Sequence, residues 1–189
     1  MRIEIVYRTR AKVGEAASGD AAFVREGPLH TLFAVIDALG HGPVAQAVAQ
    51  KAIAALDTVP LDRGVLVPLE AMHEALRGTR GAAVTLGLHT HGEGTAELCG
   101  VGNVSVRGSK RSIPFVPTPG VVGSRISRPR SSTIEFYRGE GVLLLSDGIP
   151  RRATIGSLAT MDANAFCDHL MAQAHEHDDA TVLLVNAPA

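Results

Sequence analysis

Leu32-Phe33-Ala34-Val35-Ile36-Asp37-Ala38-Leu39-Gly40-His41-Gly42-Pro43 is the stretch on which the fold turns. Five apolar residues run into an aspartate, a glycine-rich turn follows, and an alanine-rich helical pattern starts at once. A nearly continuous apolar run of this length suits a strand buried on both faces, as in the middle of a layered fold. A buried strand that ends in a carboxylate presents it at a fixed point on the rim of a sheet. Pro43 suits the first turn of a helix, where its missing N–H costs nothing.

Working upstream, residues 3–8 alternate, with Ile3, Ile5 and Tyr7 on one side of a half-buried strand. Gly19 permits a bend, and Asp20 opens a second short strand that a Gly27-Pro28 turn joins to the opening stretch. Downstream, Val44, Val48, Ala52 and Leu56 recur at helical spacing, and Ala45, Ala49 and Ile53 widen the face. A second helix is predicted over 65–77, with Leu66, Leu69, Met72 and Leu76 as its stripe and Gly78 as its stop.

The period then changes. Residues 82–88 and 95–99 flank a hairpin turn, and 101–106 make a turn and a further strand. Residues 109–132 carry four prolines and read as loop. Strands are predicted over 133–137 and 142–146, the second buried and running into Asp147. A last helix over 163–175 buries Phe166, Leu170 and Ala174, and Asp178-Asp179 leads into a final strand over 180–185. Parallel sheets need alternating crossovers, which this order lacks. The expectation is an α+β fold with two mainly antiparallel sheets and helices outside, as one domain over residues 1–189.

Bulk properties narrow the classes. The formal net charge is -1, with neither a basic excess nor an acidic tail, which speaks against nucleic acid as a partner. No apolar run reaches membrane-spanning length, and the N-terminus reads as a strand rather than a signal peptide. Cys99 and Cys167 follow no metal or redox spacing and read as core thiols of a reducing compartment. A soluble cytoplasmic protein is expected.

Four aspartates fall at strand edges: Asp20, Asp37, Asp147 and Asp178. Each alone serves equally well as a turn or helix cap. Together they suggest one rim. Gathered carboxylates repel unless a cation lies between them. Oxygen-only ligation suits magnesium or manganese rather than zinc, and two such ions sharing Asp37 would polarise a water and hold a phosphate. Spacing does not show that the four meet.

The motifs carry a resemblance. Asp37-Ala38-Leu39-Gly40-His41-Gly42 resembles the Asp-Gly-x-Gly-His-Gly element of the metal-dependent PPM-type Ser/Thr protein phosphatases. Ser18-Gly19-Asp20, Leu145-Ser146-Asp147-Gly148-Ile149 and Asp178-Asp179-Ala180-Thr181 resemble the family's other acidic elements, in order and nearly end to end. Gly81-Ala82-Ala83-Val84 and Gly100-Val101-Gly102-Asn103 look like family segments too. The likeness is to the short bacterial SpoIIE/RsbU/RsbX branch, above all its stand-alone RsbX type.

The resemblance implies a four-layer α-β-β-α sandwich with two Mn²⁺ or Mg²⁺ ions at one end of the central sheets. Asp37 would bridge both ions, Asp20, Asp147 and Asp178 would complete the set, and the Ala38 carbonyl would contribute a ligand. Water bridging the metals would attack phosphorus directly. Ala38 stands where the family usually has glycine, so a carbonyl ligand there needs backbone dihedrals that suit a residue with a Cβ. His41 is either a general acid for the leaving oxygen or a structural ring that ties down the glycine loop. Arg125, Arg128 and Arg130 form a basic run in the proline-rich region, either a solvated loop or a partner-docking surface.

The function implied is removal of phosphate from serine or threonine on a small regulatory protein. For this branch the partner is a phosphorylated STAS-domain antagonist, in a stressosome-type complex with an anti-sigma or switch kinase, and the setting is stress or sigma-factor signalling. Two alternatives stay open: a catalytically weak binding module on the same fold, and a hydrolase of small phosphate esters.

Overall fold

β3 (His30–Ala38) is the second strand of a five-stranded sheet, and its residues alternate between two separate cores. Leu32, Ala34 and Ile36 face one way, and Phe33 and Val35 the other, all with no exposed surface. The computed structural model describes residues 1–188. Around β3 the described residues form β1 (Glu4–Arg10), β2 (Asp20–Glu26), α1 (Gly42–Thr58), α2 (Leu66–Ala75), β4 (Ala82–Thr90), β5 (Thr95–Val101), β6 (Ser105–Gly108), β7 (Ser131–Glu135), β8 (Glu140–Leu145), α3 (Ala163–Met171) and β9 (Ala180–Ala187).

One sheet has the order β2-β3-β4-β5-β7 and the other β1-β9-β8-β6, with antiparallel pairing throughout. Three apolar clusters separate four layers. Helices α1 and α2 pack on the outer face of the five-stranded sheet through Ala45, Val48, Ala52, Leu56, Leu69 and Met72. The space between the sheets is filled by Phe33, Val35, Leu98, Leu144, Leu183 and Val185. Helix α3 closes the far side with Phe166, Cys167 and Leu170 against Leu143, Leu145 and Val182. The result is the expected α-β-β-α sandwich, in which area removed from water in three layers holds four together. Among the described residues, no helix is long and apolar enough to cross a membrane.

Local readings fail where a helix face or strand edge is one residue out of place. Val44, expected on the buried stripe of α1, is 56% exposed. The helix starts at Gly42, and the inward row is Ala45, Val48, Ala49, Ala52 and Leu56, which leaves Val44 about 100° off that face. Tyr7 is 48% exposed although Ile3 and Ile5 pack on the inter-sheet core. β1 is an edge strand, and cover on that face ends after Ile5. The last helix stops at Met171, short of the predicted residue 175. Asp37 lies inside β3, which runs on to Ala38, rather than after the strand.

Candidate metal centre

The inter-sheet layer changes character at one end. Asp37 continues the Phe33-Val35 row of β3, so its carboxylate points between the sheets. β2 pairs antiparallel with β3 in a register that sets Asp20 directly opposite Asp37. Facing residues of such a pair point to one side with Cβ atoms about 5 Å apart. From the other sheet, Ser146 and Thr181 continue the rows of Leu144 and Leu183, and the Thr181 N–H donates to Ser146 Oγ at 2.8 Å. Apolar packing thus gives way to two hydroxyls and two carboxylates, over which lies a cavity of about 440 Å³.

Asp37, Asp147, Asp178 and His41 line that cavity, with Asn103, Gly40 and Gly102. Asp147 follows β8 and is held by Asn103, whose amide donates to Asp147 Oδ2 at 2.7 Å. Asp178 stands just before β9. Asp20 is 5% exposed, and its Oδ2 has no hydrogen-bond partner. Ala38 is buried at the end of β3 and is not part of the cavity lining. Its backbone is extended. Among the described residues only glycines have positive φ, so the Cβ at 38 sits without strain. Gly40 (φ +99) and Gly42 (φ +72) make the turn that leads from β3 into α1.

Asp20, Asp37 and Asp147 are shifted above the usual carboxylate range. Burial pushes Asp37 up to about 8, and the charges of Asp20, Asp147, Asp178 and Asp179 add to the rise. Burial likewise raises Asp20 to about 7, against the help of the Ser146 and Thr181 hydroxyls. Asp147 is raised by partial burial and then by Asp178, with Asn103 pulling the other way. Such a cluster is poised to take up cationic charge.

The donors fit hard divalent cations. All four side chains are carboxylates, one buried carboxylate oxygen is unpartnered, and a water-sized space lies above them. Among the described residues, no three His, Cys, Asp or Glu side chains stand close enough to hold one ion between them as placed. That is compatible with magnesium-like ions, which keep several waters and take only one or two carboxylates each.

Residues outside the predicted set complete the construction. Asp179 is 3% exposed and accepts from the Lys12 N–H at 2.8 Å and the Gly19 N–H at 2.7 Å. It therefore pins the segment before β2 that delivers Asp20. Asp179→Ala is expected to lower stability by about 3 kcal/mol, read as a loss of roughly 6–12 °C in melting temperature, because two N–H groups lose a charged acceptor. An unchanged melting temperature would show that Asp179 carries no such role. His41 Nδ1 lies 2.7 Å from Glu15 Oε1, so the ring at the start of α1 is held against the segment before β2 while still lining the cavity. Asn103 sits in a segment that the sequence marked only by resemblance. Glu15 carried no sequence signal, because its partner is 26 residues away.

A larger cavity, of about 670 Å³, lies at the opposite end of the sandwich among Met1, Ile3, Glu26 and Arg138. Among the described residues its lining includes two carboxylates, Glu4 and Glu26, rather than the three aspartates of the first cavity.

No protein-family model matches the chain, and no curated protein matches it by sequence. Solved structures do match its fold. One is described as showing the bacterial stressosome to be a modular system adapted to control secondary messenger signalling. It superposes with a TM-score of 0.85 at 29% identity, over 98% of this chain and 100% of the other. RsbX in complex with magnesium superposes at 0.81 with 19% identity, over 97% and 94%. The PP2C phosphatase domain, with part of the regulatory domain, of the cell-fate determinant SpoIIE from Bacillus subtilis superposes at 0.78 with 19% identity, over 98% of this chain and 63% of that one. The chain shares the sandwich fold of these structures, and no neighbour stands apart far enough to single out the RsbX type.

Proposed function

We propose that this chain is a metal-dependent phosphatase acting in the cytoplasm on phosphoserine or phosphothreonine of a small regulatory protein. The observation that carries the reading is the convergence of Asp37, Asp147 and Asp178 on one cavity above buried Asp20, at one end of a PPM-type sandwich. Asp20, Asp37, Asp147 and Asp178 would hold two Mn²⁺ or Mg²⁺ ions, with the Ala38 carbonyl as a further ligand. When bound, the ions supply Lewis acidity toward water and the phosphoryl oxygens. Asp37 opposite Asp20 sets the spacing of the negative charge, and Asp179 and Asn103 fix the orientation of the carboxylates around it. His41, held on Glu15 at the cavity wall, would give a proton to the leaving serine or threonine oxygen.

The likeness to a stressosome-related structure and to RsbX supports a phosphorylated STAS-domain protein as substrate, in a stressosome-type complex with an anti-sigma or switch kinase. The setting would be stress or sigma-factor signalling. One observation favours the binding-module alternative, namely that among the described residues no three donors are already gathered around one point.

The discriminating experiment is hydrolysis of a phosphoserine peptide and of a small aryl phosphate, with Mn²⁺ and with chelator. Chelation is expected to cut turnover about a thousandfold, the equivalent of about 4 kcal/mol of barrier. Metal-independent hydrolysis would overturn the mechanism. No hydrolysis together with undiminished partner binding would favour the module. Faster turnover of the aryl ester than of the peptide would favour a small-ester hydrolase.

A further inference from the structure

The cavity is acidic, yet the segments that flank its wall carry four arginines, Arg80, Arg125, Arg128 and Arg130. Gly120 and Val121 form part of the cavity wall, and the chain turns back on itself just beyond them. The Val121 N–H donates to the Arg125 carbonyl at 2.8 Å, and Gly120 bridges to Ile126. The loop is anchored from below, where the Gly123 N–H donates to His73 Nδ1 of α2 at 3.0 Å and Ala82 bridges to Val122. Arg130 immediately precedes β7, whose Ser131 pairs with Cys99, three residues before Gly102 in the cavity wall. Arg125 therefore sits one turn from the cavity wall, and Arg128 and Arg130 lead from it to the edge strand of the five-stranded sheet. Arg80 joins them from the start of β4. One of its terminal guanidinium nitrogens lies 2.8 Å from the point where a Cβ on Gly40 would stand.

All four side chains are exposed, and among the described residues none forms an ion pair. The whole chain has a formal net charge of -1, so this concentration of positive charge is local rather than a general excess. A guanidinium offers a planar pair of donors that fits a carboxylate side on, and a surface row of them attracts anionic partners from a distance.

We propose that Arg80, Arg125, Arg128 and Arg130 form a docking rim for an acidic stretch of the protein substrate, which flanks the phosphorylated residue entering the cavity. This deepens the phosphatase reading and takes from it the identity of the cavity's occupant. The rim makes the chain select phosphoproteins with Asp or Glu beside the phosphosite.

The test uses two labelled phosphoserine peptides of equal length, one with Asp and Glu flanks and one with Ser and Gln flanks. Anisotropy with the full chain in chelator reads docking without turnover, and kcat/KM in Mn²⁺ reads both together. The acidic peptide is expected to bind about tenfold more tightly at low salt, to lose that advantage at high salt, and to lose it in the combined variant R125Q, R128Q and R130Q. An unchanged melting temperature establishes that the variant is folded. Equal binding of the two peptides, or a preference that survives in the variant, overturns the rim. Equal competition by a single-stranded oligonucleotide also overturns it, because the surface then reads anions without regard to protein. A rim-dependent preference in chelator with no hydrolysis of either peptide in Mn²⁺ upholds the rim and overturns the phosphatase.

Discussion

Asp37→Asn is expected to lower Mn²⁺-dependent hydrolysis about a thousandfold while leaving the chain folded. Asp37 is in the interior of β3, opposite Asp20 on one side and Ala83 on the other, so its backbone is set by two ladders that the substitution does not touch. Asparagine keeps the volume and one oxygen but removes the negative charge. In the absence of cations the fold already disfavours that charge, since burial and four neighbouring aspartates push the carboxyl up to about 8. The chelated variant should therefore melt no lower than the native chain. What it loses is the attraction for divalent cations at the point where the other carboxylates converge, and with it about 4 kcal/mol of transition-state stabilisation. Asp147→Asn falls in the same direction, because Asp147 lines the same cavity. Native-like turnover in Asp37→Asn would refute the metal mechanism, and a collapsed melting temperature would refute the claim that the charge is a burden on the fold.

Much of this arrangement is legible in the residues, and what is not has a physical reason. The opening stretch announces a two-faced buried strand because apolar residues occupy both parities from Leu32 to Ile36, which only a middle layer tolerates. The antiparallel sandwich follows from strands without crossovers. Register does not follow. That Asp20 faces Asp37 depends on the length of the Gly27-Pro28 turn and on how β2 slides along β3, a non-local choice that residue types leave open. Asp178 and Asp179 are the same residue type side by side. Only the folded chain turns Asp178 toward the cavity and uses Asp179 to hold the N–H groups of Lys12 and Gly19. Pairings such as His41 with Glu15 and Asn103 with Asp147 join segments that meet only when both sheets are assembled. The basic run is plain in the sequence, whereas its nearness to the cavity wall comes from the turn in which the Val121 N–H donates to the Arg125 carbonyl.

The same crowding of carboxylates predicts an inverted pH dependence of stability when cations are withheld. In the unfolded chain these groups titrate near 3.8, whereas in the fold burial and mutual repulsion raise Asp20 to about 7 and Asp37 to about 8. Between those limits the folded chain holds protons that the unfolded chain has released, so stability declines as pH rises. A shift of about four units corresponds to at most about 6 kcal/mol once Asp37 is fully ionised. Because Asp20 and Asp37 repel each other, the two costs are shared rather than summed. His89, lowered below 6.5 mainly by burial, contributes with the opposite sign, since the fold disfavours its charged form. The carboxylates dominate, and in chelator the melting temperature should drop by about 10 °C from pH 5 to pH 8. Asp37→Asn should reduce that slope by the Asp37 share while leaving the Asp20 and His89 contributions in place. Saturating Mn²⁺ should cancel or reverse it, because an ion that binds only the folded, ionised cluster stabilises it by mass action and displaces its protons. Calorimetry would see the same event as proton release into the buffer on metal uptake near neutral pH. A melting temperature that is flat or rises with pH in chelator would mean that the four carboxylates do not share the space between the sheets, and the case for a metal centre would fail with it.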